Sequence, residues 1–187
     1  LAQSLKIKLK AAAATSDEYE AILQDYERLF LIYGTQKETF RLQLDYARFL
    51  AFKMEQAQKA TDLLIVLEQT NLSKFQKADV KMLLADILVL QEQFNRALIF
   101  YSQIQNDVPN DVRSQESQFK VARTSYYQGD FPWSLTQLKV LRSAASKLIA
   151  NDAMELSLTI ADHSIEDTTF VALKAFAKAK PLKLYPT

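Results

Sequence analysis

Apolar residues along this chain recur at offsets of three and four, the spacing that puts side chains on one face of an α-helix. Ala57, Ala60, Leu64 and Leu67 show it cleanly, and so do Phe94, Ala97, Tyr101 and Ile104. Cutting the chain at its polar and capping clusters predicts ten helices: 1–13, 17–33, 36–53, 56–69, 75–91, 94–106, 112–128, 131–147, 151–163 and 167–179. The N-terminal run Leu5 to Lys10 alternates with period two, but Ala11 to Ala14 continue it as helix. The best-marked boundary is Gly129-Asp130-Phe131-Pro132. There a glycine suits the left-handed C-terminal position, an aspartate caps the next helix, and a proline sits in the first turn. Ser16 with Asp17, Asn110 with Asp111, and Asn151 with Asp152 read as similar starts.

The two helical sets just named are displaced by 37 residues, and Phe131, Ser134, Leu138 and Leu141 repeat them after a further 37. The preceding helices follow. Leu84, Ala85 and Leu88 match Val121, Ala122 and Ser125 at 37, and Tyr46, Ala47 and Leu50 at 38, one residue being taken up near Met54 to Gln56. Small residues at matched positions let antiparallel helices cross closely, so Ala85 is expected to face Ala97, and Ala122 to face Ser134. The segment 75–91 is apolar nearly all round, as expected of a helix with neighbours on both sides. Units of this kind bury their faces only by stacking.

Composition narrows the class. Only two glycines and four prolines occur, too few for the frequent turns of an all-β fold. Lys and Arg total 23 against 22 Asp and Glu, so there is no broad basic footprint for nucleic acid. Cysteine is absent, which removes disulfides, thiolate metal sites and cysteine nucleophiles. No apolar run exceeds five residues, Leu29 to Tyr33 and Leu63 to Leu67 among them, far short of the roughly 20 residues of a spanning helix. Leu1 in place of Met points to residues ahead of this chain, where a signal peptide would lie.

The residues resemble the tetratricopeptide repeat family. Its signature combines a Leu-small pair, a Gly before an aromatic, a small residue three positions on, a further aromatic, and a closing Pro. Leu84-Ala85, Phe94, Ala97, Tyr101 and Pro109 match it, with Glu92 in place of the Gly. Val121-Ala122, Gly129, Phe131, Ser134 and Leu138 match in the next unit, which lacks the Pro. The unit of Ala47 and Ala60 has Ala57 where the aromatic is usual. The spacing of 37 exceeds the family's typical 34. The resemblance implies one right-handed α-solenoid over 1–187, of about five helical hairpins. Repeats would fall at 40–74, 78–111 and 115–148, flanked by pairs at 1–33 and 151–179 and a basic tail at 180–187. Residues 127–134 and 147–156 further resemble uncharacterised repeat proteins of Bacteroidetes. Those are usually longer and often exported, which implies a segment of a larger periplasmic or envelope protein.

In that family the first helix of each pair lines a concave groove for an extended peptide or partner helix. Carried over singly, the groove positions are Arg41, Leu44 and Arg48, then Asp79, Met82, Asp86 and Val89, then Glu116, Phe119, Arg123 and Tyr126. Leu44, Met82 and Phe119 stand where chaperone-binding relatives carry part of a carboxylate clamp, so that cofactor role does not transfer. Aromatic and Arg anchors remain, the types enriched at binding hot spots. Each residue taken singly reads first as packing or as a solvated charge. The implied role is a non-enzymatic protein-interaction scaffold; the alternative is a spacer or oligomerisation segment using its terminal helices. His163 is the sole histidine, and with Asp162, Glu166 and Asp167 it is read as helix capping in preference to a metal or acid/base site. No cofactor or metal is expected. Lys174, Lys178, Lys180 and Lys183, with no acid in 168–187, are read as a solenoid end in preference to a membrane-surface helix.

Overall fold

The computed structural model describes residues 2–144, 146–164 and 170–179. Among them the fold is all-helical, with ten α-helices and no strand. In chain order these are α1 (Ala2–Ala13), α2 (Tyr19–Tyr33), α3 (Phe40–Phe52), α4 (Ala57–Glu68), α5 (Lys74–Leu90), α6 (Phe94–Asp107), α7 (Val112–Gln128), α8 (Phe131–Ala144), α9 (Lys147–Ser164) and α10 (Val171–Ala179). Short 3-10 turns at Ser16–Glu18 and Lys37–Thr39 lead into α2 and α3.

The predicted segments are recovered with shifts at their ends. Asp111 caps α7 as expected, its carboxylate accepting from the Arg113 N–H at 2.9 Å. The start near residue 16 belongs to Thr15, whose N–H donates to the Glu18 carboxylate at 3.1 Å. The largest correction is at α9, which begins at Lys147 and runs through Asn151 and Asp152. Ile149 is buried, and extending the helix back one turn seats it in the core.

Contacts divide the chain into two compact units, parted between Leu83 and Leu84 within α5. In the first, α1 packs on α2 and α3 on α4. Ala47 and Ala60 are both fully buried, as their small side chains at a helix crossing require. Tyr26 is the hub of an aromatic cluster, with ring centroids 5.3 Å from Tyr46 and 5.7 Å from Phe49. Burial, reinforced by the Asp45 charge, drives the Tyr26 hydroxyl pKa well above its usual range.

In the second unit α6 packs on α7, α7 on α8 and α8 on α9, and α7 also meets α9. The expected facing of Ala122 and Ser134 is present: the Ser134 hydroxyl donates to the Ala122 carbonyl at 2.8 Å, with both residues fully buried. A contact between helices this close leaves no room for a larger side chain. α10 turns back to pack on α7 and α9, burying Leu173 and Ala177. Phe170 sits with its ring centroid 5.1 Å from that of Phe131.

The repeat is visible in the turns. Glu55, Glu92 and Gly129, at displacements of 37, all take positive φ, at 55°, 58° and 81°. Behind them the Gln93 N–H donates to the Leu88 carbonyl at 2.8 Å and the Asp130 N–H to the Ser125 carbonyl at 2.9 Å. This five-residue closure marks a Schellman-type helix end. In the first copy the Gln56 N–H reaches back six residues, to Leu50 at 2.8 Å, which is where the 38-residue displacement arises. A left-handed conformation strains any residue with a Cβ by about 1–2 kcal/mol. Glu92 is exposed, so its side chain has little packing to lose. Glu92→Gly is expected to raise stability by about 0.5–1 kcal/mol, after the entropy glycine adds to the unfolded chain. Urea denaturation checks this, and a net loss of stability would contradict a strained turn at Glu92.

Candidate functional site

The first unit holds Arg41, Leu44, Arg48, Asp79 and Met82 of the candidate set. Arg41 is exposed on α3, its guanidinium 3.8 Å from the Asp79 carboxylate on α5 and 5.8 Å from the centre of the Phe40 ring. At that length and exposure the ion pair contributes little. Arg48 lies exposed two turns further along α3. Leu44 and Met82 are buried. On this unit a partner would therefore meet arginine and a half-buried aspartate, with no apolar anchor among the candidates.

The second unit holds Asp86, Val89, Glu116, Phe119, Arg123 and Tyr126. Asp86 is 4% exposed and forms the centre of a polar cluster joining three helices. The Lys120 ammonium on α7 lies 2.7 Å and 2.6 Å from its two oxygens, and the Tyr101 hydroxyl on α6 donates to it at 2.7 Å. The Glu116 carboxylate, one turn before Lys120 and exposed, approaches the same ammonium at 3.5 Å. The bonds to Asp86 all involve a charged partner and sit largely out of water, where they are strong and where losing one is costly. The candidate set did not include Lys120 or give Tyr101 a polar role. A signal was present: Asp86 and Lys120 are 34 residues apart, one repeat less one helical turn. Opposite charges at that spacing fall on neighbouring stripes of consecutive first helices.

Val89 is buried, and Tyr126 is 1% exposed. The Tyr126 ring packs 5.5 Å from both Tyr127 and Phe131, and its hydroxyl has no hydrogen-bond partner among the described residues. Burial raises the Tyr126 hydroxyl pKa, and it pushes that of Tyr127 up to about 12 although Arg123 pulls it down. Phe119 and Arg123 are half-buried neighbours on α7, the guanidinium 5.6 Å from the ring centre. This stacking fixes the arginine over an aromatic face. Of the eleven candidates, Leu44, Met82, Asp86, Val89 and Tyr126 are core residues here. Those open to a partner are Arg41, Arg48, Asp79, Glu116, Phe119 and Arg123.

The His163 cluster is covered only in part, since Glu166 and Asp167 lie outside the described residues. His163 itself is exposed, donates through Nδ1 to the Thr159 carbonyl at 2.8 Å, and stacks on Phe176. His163 stands in the last turn of α9, where a histidine suits the C-terminal end of the helix dipole, and its ring bonds a carbonyl one turn back. Among the described residues no group of three or more His, Asp or Glu side chains is placed to hold a metal ion. Lys174 and Lys178 are exposed on α10, while Lys180 and Lys183 lie outside the described residues. No described helix is long and apolar enough to cross a membrane.

No protein-family model matches this chain. No curated protein and no solved structure matches it either. The resemblance to tetratricopeptide repeats thus rests on the residue pattern alone.

Proposed function

We propose that this chain is a non-enzymatic protein-interaction scaffold, a right-handed α-solenoid of the tetratricopeptide kind. An extended peptide or partner helix would be received on the first helices of its pairs. The observation that carries this is the recurrence of a left-handed residue at Glu55, Glu92 and Gly129, 37 positions apart, each between a first helix and a second. A rigid pair of helices has already lost its own conformational entropy, so a ligand laid on it pays only for its own ordering. On α7 the stacked pair Phe119 and Arg123 offers an apolar plane beside a positive charge, and on α3 Arg48 offers a second, separate charge. Such a surface suits acidic peptides with an apolar anchor.

Selection of a displayed peptide library on the immobilised chain tests this, with an Arg48→Glu, Arg123→Glu variant as the counter-target. Enriched peptides are expected to carry Asp or Glu beside an aromatic or aliphatic residue. They should bind the variant about tenfold more weakly while its melting transition stays in place. No enrichment, or peptides that bind both proteins equally, would overturn the groove proposal.

A second reading, a spacer or oligomerisation segment of a larger repeat protein, draws on a different observation. Leu5, Leu9, Leu31 and Ile32 of α1 and α2 are each more than half exposed, and apolar surface on a terminal helix pair supports association.

A further inference from the structure

Charge is distributed unevenly between the helices of this nearly neutral chain. Residues 1–16 contain Lys6, Lys8 and Lys10 and no acid. The stretch 148–164 on α9 contains Asp152, Glu155 and Asp162 and neither Lys nor Arg. Each charged region coincides with exposed apolar surface. Between α1 and α2 runs an open groove of about 490 Å³, floored by Ile7 and Leu29 and walled in part by Ile32, Lys6 and Arg28. Lys10 and Asp25 pair across it at 3.0 Å and cancel. Lys6 and Arg28 are exposed and have no ion-pair partner among the described residues, so the rim carries two free positive charges.

The outward stripe of α9 is the complement. Ala153, Ser157 and Ile160 face the core. The opposite side, at helical spacing, presents Leu148, Glu155, Leu158 and Asp162. Leu148 and Leu158 are 73% and 51% exposed. The carboxylates of Asp152, Glu155 and Asp162 have no ion-pair partner among the described residues. An acidic ridge with leucines along it matches a basic groove with an apolar floor in both charge and hydrophobicity.

Building on the self-association reading, we propose that the α1–α2 groove of one copy receives the α9 ridge of a second copy. Leu158 would lie over Ile7 and Leu29 while Glu155 and Asp162 face Lys6 and Arg28. The two surfaces differ, so the contact is heterologous: a copy bound through its groove still presents its own ridge, and association continues past the dimer. The groove is small beside a standard stable interface, so the association is weak and falls with salt.

Sedimentation equilibrium of the full chain tests this, over about 5–500 µM at low and at high salt. The mean mass should rise past that of a dimer at low salt and fall back at high salt. Lys6→Glu with Arg28→Glu, and separately Glu155→Lys with Asp162→Lys, should each raise the dissociation constant about tenfold or more. All four positions are exposed, and circular dichroism checks that helicity is kept. Mixing the two variants in equal amounts should restore association, because each then meets a complementary surface on the other. A wild-type chain that stays monomeric throughout overturns the proposal, and the basic groove would then be open to an acidic segment of another protein. Association that survives the α9 substitutions also overturns it, in favour of groove-to-groove contact. Arg48 and Arg123 are untouched in these variants, so the outcome is separate from that of the peptide-selection experiment.

Discussion

Replacing Asp86 by alanine is expected to destabilise the chain by about 3–5 kcal/mol, as the loss of one partner from a buried ion pair does. The Lys120 side chain, 10% exposed, would lose its main counter-charge, and the Tyr101 hydroxyl would lose the Asp86 carboxylate. Glu116, 3.5 Å from the ammonium but nearly half exposed, offsets the loss only as a surface partner does. The double variant Asp86→Ala, Lys120→Met should recover much of the loss, since removing both charges also removes their desolvation. Chemical denaturation of the two variants beside the wild type measures this. A loss under about 1 kcal/mol in the single variant would show that water reaches the pair and that it contributes as surface pairs do. The same measurement decides between two roles for Asp86. A groove residue would alter ligand binding and leave stability alone, whereas a core residue does the reverse.

The helices and their turns were legible in the chain because they are governed locally. Gly129 takes the left-handed position, and Asp130 accepts from the Trp133 N–H at 3.2 Å as an N-cap, both as the four-residue boundary implied. Even the odd residue near Met54 to Gln56 has its counterpart in the longer closure between Gln56 and Leu50. Exposure of individual stripes was less legible, since it depends on which neighbours a helix meets. For α5 the chain itself carried the warning. A helix apolar on nearly every side leaves little face for a ligand, and Met82, Asp86 and Val89 are accordingly buried. Groove positions carried over from 34-residue relatives do not include that local pattern. The return of α10 onto α7 had no local signal. It depends on Phe170 meeting Phe131, 39 positions earlier, and on Lys174 passing beside Gly129, where a Cβ would stand 3.3 Å from its side chain.

Phe131→Ala should cost about 3–5 kcal/mol, the range for removing a buried aromatic whose site cannot collapse. Phe131 is fully buried at the start of α8, and its ring lies 5.5 Å from Tyr126 and 5.1 Å from Phe170. Its repeat-equivalents differ: Phe94 and Ala57 occupy the same register, and both are half-buried. The aromatic at 131 therefore serves two purposes, wedging the α7–α8 turn and seating the residue that leads into α10. The first predicts a global loss of stability, and the second predicts a local one. Hydrogen exchange separates them. In the alanine variant the amides of α10, Val171–Ala179, should lose protection to a greater extent than those of α7. Phe131→Leu, which keeps most of the volume, should recover more of the global stability than of the α10 protection, because an aliphatic side chain fills the wedge without offering Phe170 a ring face. Equal loss of protection in α7 and α10 would show that Phe131 acts on the unit as a whole, and that Leu173 and Ala177 hold α10 without it.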